Sequence, residues 1–283
     1  MFVLPGVNTP SGRSEKASLR LRYEDIAQDR RVKLGVLPAS LGVVWRTMMQ
    51  DRSEEMKRLR ADGIVPVLRR FMLVAHESPI GIQHPLDVEG RWETAHLSSE
   101  RKRFVLNMRT DLSAPRASTY PPPPENAGAI GSVGGVFAEH VYTRIFAAPG
   151  ERRIDRLPDG VDAGPERPWI DLTSLLRTDA ETLDAAPVDR GEVLFGLTHT
   201  DSNQHVNSLV YPQLFEERAL EAWGDGHFLA RSMHVIWRKP CFAGERASVR
   251  IQRIRAGERR GAIALLFVDD ETRPRCAGQL WLG

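Results

Sequence analysis

Cysteine is scarce in this sequence: Cys241 and Cys276 are the only two among 283 residues. Two thiols cannot make a disulfide framework, so a chain that folds in a reducing compartment is expected. Long apolar runs are also missing. The longest late one, Ala262 to Val268, is of strand length and far below the roughly 20 residues that span a bilayer. The first residues, Met1-Phe2-Val3-Leu4-Pro5, are too short for the apolar core of a signal peptide, and Pro5 and Gly6 interrupt them. A cytoplasmic chain with no membrane partner is therefore predicted. Nor is there an excess of one charge. The 39 basic and 37 acidic residues leave a net charge of +2, which argues against nucleic acid as the partner. The hydrophobic share of 41% suffices for a buried core, and the length suits one large domain or two ordinary ones.

Along the chain, residues 1–17 read as a loose lead-in. Leu19, Leu21 and Tyr23 alternate with charged residues at the period of a half-buried strand. Leu34 to Met49 is apolar without that alternation, and predicts a buried helix that continues through Asp51 to Arg60 and stops near Gly63. Strand-like runs follow at Val65 to His76, Gly90 to Leu97, Arg103 to Asp111 and Val133 to Phe146. Pro121 to Pro124 mark a long exposed loop over about 112–130. From 148 to 190 repeated Gly and Pro suggest a crossover, with a short helix near Asp171 to Arg177. The first pattern then returns: a strand from Glu192 to Thr200, a helix from about Asn207 to Trp223, and strands at His227 to Arg238, Glu245 to Arg255, Gly261 to Val268 and Cys276 to Leu282.

This is a divergent duplication. Leu68, Arg70, Met72, Val74 and Pro79 match Leu229, Arg231, Met233, Val235 and Pro240 at one constant offset, and Val32 and Pro38 match Val206 and Pro212 at another. The expected fold is α+β, one antiparallel sheet around a long helix, built twice: a first domain over 18–147 and a second over 191–283.

The segment richest in chemistry is His199-Thr200-Asp201-Ser202-Asn203-Gln204-His205-Val206-Asn207-Ser208-Leu209-Val210-Tyr211. It lies between a predicted strand and a predicted helix, with Asn207 or Ser208 as the expected N-cap. Side chains there sit near a helix amino terminus, whose free N–H groups and dipole favour developing negative charge. That suits a reaction passing through an oxyanion. The plainer reading is that Asp, Ser and Asn before a helix are ordinary turn residues.

Asp-x-Asn-Gln-His-Val-Asn-x-x-x-Tyr resembles the signature of hotdog-fold acyl-thioester hydrolases, and is most similar to that of the plant and bacterial acyl-ACP thioesterases, themselves double hotdogs. Phe215-Glu216-Glu217-Arg218 is similar to the helix of the 4-hydroxybenzoyl-CoA thioesterase branch. The resemblance implies a tandem hotdog and a metal-free, cofactor-free thioesterase in fatty acid or polyketide metabolism. It makes Asp201, Asn203 and His205 catalytic, with His199, Asn207, Ser208, Tyr211 and Cys241 at the substrate. Asp201 or His205 would activate water, or Asp201 would attack directly. Two departures stand out. The complete motif lies in the second half, where the plant enzymes carry it in the first; here the first half has Ala27, Asp29 and Arg31 at the positions of Asp201, Asn203 and His205. The family's Glu-Cys pair on the strand after the helix is Pro240-Cys241. Cys241 is then either a thiolate nucleophile or a small buried residue.

His199, Asp201 and His205 also have the donor types of a metal site, but no distant fourth ligand is evident. Gly131-Ser132-Val133-Gly134-Gly135 fits neither a nucleophile elbow nor a dinucleotide loop. An acidic acyl carrier protein would find Arg250, Arg253, Arg255, Arg259 and Arg260 as a docking patch; acyl-CoA is the other expected substrate form. The fused halves imply a monomeric pseudo-dimer or a homodimer of such units. The alternative function is a non-hydrolytic hotdog protein, either an acyl-binding module or a dehydratase-like enzyme.

Overall fold

The computed structural model describes residues 2–10, 13–49, 54–98, 103–176, 179–269 and 271–283. It divides into an amino-terminal unit, Val3–Trp169, and a carboxy-terminal unit, Ile170–Gly283 together with Phe2.

In the amino-terminal unit, β1 (Ser14–Leu19) precedes the helices α1 (Leu41–Met49) and α2 (Glu54–Ala61). Four long strands follow: β2 (Val65–Ala75), β3 (Leu86–Ser98), β4 (Arg103–Pro115) and β5 (Ile130–Thr143). Their order in the sheet is β1-β3-β4-β5-β2, all antiparallel, and the short β6 (Glu166–Pro168) runs parallel to the end of β3. The strand before the helices and the strand after them lie at opposite edges, so the helical segment crosses the sheet. A Cβ on Gly90 of β3 would stand 2.6 Å from Val44, so glycine is what lets α1 rest on the strand there.

The carboxy-terminal unit repeats this plan. The helices are α3 (Leu172–Leu176) and α4 (Val210–Trp223). The strands are β7 (Glu181–Thr182), β8 (Val188–Leu194), β9 (Ala230–Trp237), β10 (Arg246–Ala256), β11 (Arg259–Val268) and β12 (Cys276–Leu282). β8 pairs with β10, and the order continues β11-β12-β9, with β7 also on β10. A Cβ on Gly278 would meet the Phe215 ring of α4 at 2.6 Å, while its neighbour Ala277 packs with Leu175 of α3. Adjacent strand residues point to opposite faces, so α4 and α3 cover the two faces of this sheet.

Several elements differ from the sequence reading. The end of the expected lead-in belongs to an edge strand, Ser14–Leu19; the alternation read at residues 19–24 ends in a 3₁₀ turn, Tyr23–Asp25, where Asp25 accepts the Arg22 N–H at 2.7 Å. The expected single helix from Leu34 to Arg60 is a 3₁₀ segment, Leu34–Ser40, followed by α1 and α2, with 50–53 outside the described residues. Pro38 cannot donate within a helix, which favours the 3₁₀ form. β3 and β4 are longer than their apolar cores suggested, β5 begins and ends three residues earlier than expected, and the proline-rich loop shrinks to residues 116–129. The crossover holds the expected short helix as α3, and in addition β6, β7 and the start of β8. The strand expected at Glu192 to Thr200 is β8, which stops at Leu194 before a 3₁₀ turn, Leu197–His199.

A polar row crosses the amino-terminal sheet. Glu93, Asn107, Glu139 and Arg70 are neighbours in register on four adjacent strands and all are buried. Buried charges need partners. Arg167 grips Glu93 through two bonds of 2.9 and 2.8 Å, the Asn8 N–H donates to it at 2.7 Å, and Arg69 meets Glu139 at 2.7 Å.

On β5, His140 lies edge-on to Trp45 of α1, ring centroids 5.2 Å apart. Burial pushes its imidazole down to about 4. The unfolded chain would take this proton near the ordinary value of 6.5 while the folded chain would not. Stability therefore falls as pH drops from about 6.5 to about 4, by roughly 3 kcal/mol for this group. Urea midpoints measured across that range should show a slope that His140→Leu flattens.

Candidate active site

The segment rich in polar side chains forms a tight hairpin loop ahead of α4. Thr200 pairs with Val206 across it. The Asp201 N–H donates to the His205 carbonyl at 3.0 Å, the Gln204 N–H to the Asp201 carbonyl at 3.0 Å, and the Asn207 N–H to the His199 carbonyl at 2.8 Å. Gln204 takes the left-handed conformation, φ 64°. Every one of these features recurs in the amino-terminal unit. Ile26 pairs with Val32, the Ala27 N–H donates to the Arg31 carbonyl at 2.8 Å, the Arg30 N–H to Ala27 at 2.9 Å, the Lys33 N–H to Asp25 at 2.9 Å, and Arg30 has φ 69°. The two loops share one backbone at the offset that aligns Val32 with Val206.

Their side chains differ. Asp201 accepts the Asn203 N–H at 2.8 Å, and Asn203 and His205 are exposed at the tip. His205 pairs through its backbone with Phe242, whose ring stands edge-on to the imidazole at 5.2 Å. Among the described residues no hydrogen bond joins the Asp201 carboxylate to the His205 imidazole. His199 sits behind: its Nδ1 accepts the Gly196 N–H at 2.9 Å, which Asp25 does with a carboxylate in the other loop. Nor, among the described residues, do three His, Cys, Asp or Glu side chains gather as a metal-holding group.

Tyr211 and Cys241 form the floor. The Tyr211 hydroxyl accepts the Cys241 N–H at 3.2 Å, and the Cys241 carbonyl accepts the Val206 N–H at 2.8 Å. Both residues are buried, and burial raises both the Tyr211 hydroxyl and the Cys241 thiol above their ordinary values. At the start of α4 neither Asn207 nor Ser208 is the N-cap; Leu209 holds that position without a side-chain bond. Asn207 instead closes its own turn, accepting the Leu209 N–H on its side chain at 2.9 Å and the Val210 N–H on its backbone at 3.0 Å. Ser208 is half-buried beside it.

The sequence reading missed Glu245. It lies beyond Cys241, accepts the Phe242 N–H at 2.8 Å and meets Arg275 at 2.8 Å. A carboxylate was sought immediately before Cys241, where Pro240 stands. Of the arginines expected to form one patch, Arg253 is held by Asp184 and Arg260 by Asp225, while Arg250 and Arg255 stack over Phe267 and Trp223. Trp223 ends α4, so the patch around it lies at the opposite end of a 14-residue helix from the loop, about 20 Å away.

Sequence comparison finds no matching family model and no matching curated protein. Comparison of folds does find neighbours. The chain is similar to a putative oleoyl thioesterase from Lactobacillus plantarum, with a TM-score of 0.65 and 12% identity, over 98% of this chain and 96% of that one. It is similar to a 12:0-ACP thioesterase from Umbellularia californica, with a TM-score of 0.65 and 13% identity, over 96% and 94%. The fold is that of the hotdog thioesterases. An acyl-ACP thioesterase from Bacteroides thetaiotaomicron matches over 96% and 98% of the two chains, with a TM-score of 0.59 and 13% identity. These likenesses run nearly end to end and so cover both units.

The burial of Cys241 and Cys276 gives a direct expectation. Neither thiol should react with Ellman's reagent in the native protein, and both should react in denaturant. Rapid labelling of Cys241 in the folded chain would reopen its candidacy as a nucleophile.

Proposed function

We propose that this chain hydrolyses an acyl thioester carried on acyl carrier protein or CoA, with Asp201, Asn203 and His205 as its catalytic residues. One observation carries the reading. The sister loop builds the same backbone with Ala27, Asp29 and Arg31, so the fold of the loop does not require the Asp-Asn-His set. Side chains that the turn does not need, clustered beside a helix amino terminus, are there for chemistry.

The chemistry follows from the groups at hand. A thioester carbonyl at the loop would meet water activated by His205 or Asp201, or would be attacked by Asp201 itself. Such general-base help is worth about 10²–10⁴-fold. The water oxygen adds to the carbonyl carbon and its proton passes to the base. The oxyanion would draw on the positive end of the α4 dipole, since Asn207 already holds the Leu209 and Val210 N–H groups. Collapse breaks the C–S bond, the sulfur takes the proton back from the base, and the thiol leaves. Asn203 would hold the carbonyl or the water. His199 and Asn207 shape the loop, while Ser208 would face the thioester and the buried Tyr211 and Cys241 support the loop from beneath. Arg250, Arg255 and Arg259 remain the candidates for an acidic carrier protein.

The test is thiol release from a panel of acyl-CoA and acyl-ACP thioesters. Wild type should turn over at least one of them, and Asp201→Asn and His205→Ala should each lose at least a hundredfold in kcat while melting normally. Salt should slow the acyl-ACP reaction more than the acyl-CoA one. Acyl binding without turnover on any substrate would replace this reading with the non-hydrolytic one.

A further inference from the structure

We infer that Glu245, clamped by Arg275, is a positioning residue for His205 and acts through Phe242. The kinetic part of this inference rests on the thioesterase reading; the structural part does not. Glu245 Oε2 accepts the Phe242 N–H at 2.8 Å. The Arg275 Nη1 group donates to both Glu245 oxygens, at 2.9 and 2.8 Å, and to the Pro240 carbonyl at 2.9 Å. Arg275 is itself steadied by Glu271, which accepts from its Nε at 3.2 Å. The short turn after β9 is thus pinned on both sides of Cys241, at the Pro240 carbonyl and at the Phe242 N–H. Phe242 then meets His205 twice, once through a backbone bridge and once through its ring at 5.2 Å and 78° to the imidazole. His205 is otherwise exposed, so this turn is the framework on which its ring can hold one orientation.

The duplicated unit separates positioning from mere folding. At the offset that pairs Pro79 with Pro240, Ile80 stands for Cys241, Gly81 for Phe242 and His84 for Glu245. That turn has neither the aromatic ring nor the carboxylate. Its loop still takes the shared backbone form, with the Ile80 N–H donating to the Arg30 carbonyl at 2.8 Å. The loop therefore folds without such a clamp. The clamp and the ring occur in the copy that has an imidazole to orient. They also return a carboxylate to the neighbourhood of Cys241, four residues after it, although Pro240 fills the place before it.

The test reads the His205 imidazole proton resonances by NMR, since the Phe242 ring displaces them. Phe242→Leu, at an exposed position, marks where they fall without the ring. Glu245→Ala should move them most of the way to the Phe242→Leu positions. Glu245→Gln, which keeps an oxygen for the Phe242 N–H, should move them less than half as far. In thiol release, Glu245→Ala should lower kcat about tenfold with KM within about twofold, and Glu245→Gln should recover most of the loss. His205 resonances that stay at their wild-type positions in Glu245→Ala, or in Glu245→Gln no closer to wild type than in Glu245→Ala, would overturn the inference. Should Glu245→Ala fail to fold, Phe242→Leu carries the kinetic arm, and an unchanged kcat there overturns it equally. A wild-type chain that hydrolyses nothing defeats the thioesterase reading, and the resonances still decide the clamp.

Discussion

Backbone hydrogen bonding at the entrance to each unit's helical segment is the constraint on which the rest of the candidate site depends. A chain leaving an edge strand must turn into a helix without stranding N–H and C=O groups. Both units solve this in the same way: a 3₁₀ turn, a two-strand pinch, one left-handed residue, and a bond that returns from the far side of the loop to the 3₁₀ turn. In the carboxy-terminal unit the pinch is also stitched to the turn after β9, through Val206 on the Cys241 carbonyl and Cys241 on the Tyr211 hydroxyl. Asp201, Asn203 and His205 need only project from a frame that main-chain atoms have already closed.

Much of this was legible in the residues. The four long strands after each helical segment follow from strand-length runs rich in apolar residues, and β12 begins and ends where its apolar residues do. The duplication was legible in Val32 and Val206, and the structure gives that alignment a meaning at the level of single hydrogen bonds. What stayed hidden depends on contacts distant in sequence. Ser14–Leu19 has too little apolar character to read as a strand, and becomes one because β3 offers an edge. Leu209 caps α4 against its propensity because Asn207 is bent back on its own turn. Glu245 carries no local signal, since its partner Arg275 lies 30 residues on and is brought near by the pairing of β9 with β12.

The two units also handle polarity differently. The amino-terminal sheet carries a buried row of charge and amide whose two carboxylates are met by Arg167, Asn8 and Arg69, together with the neutral His140 against Trp45. Buried charges persist only when paired, so this unit concentrates its ion pairs on cohesion. The carboxy-terminal unit places its most versatile polar groups at the exposed tip of one loop and surrounds their base with Phe195, Tyr211 and Trp237.

A loop whose shape is written in main-chain atoms is a socket that accepts different contents. Ala27, Asp29 and Arg31 fill one socket and Asp201, Asn203 and His205 fill the other, with the left-handed residue and the pinch unchanged between them. The side chains at the two tips differ while the main-chain bonds beneath them do not. Such a socket can be emptied or refilled by substitution with its backbone bonds left in place.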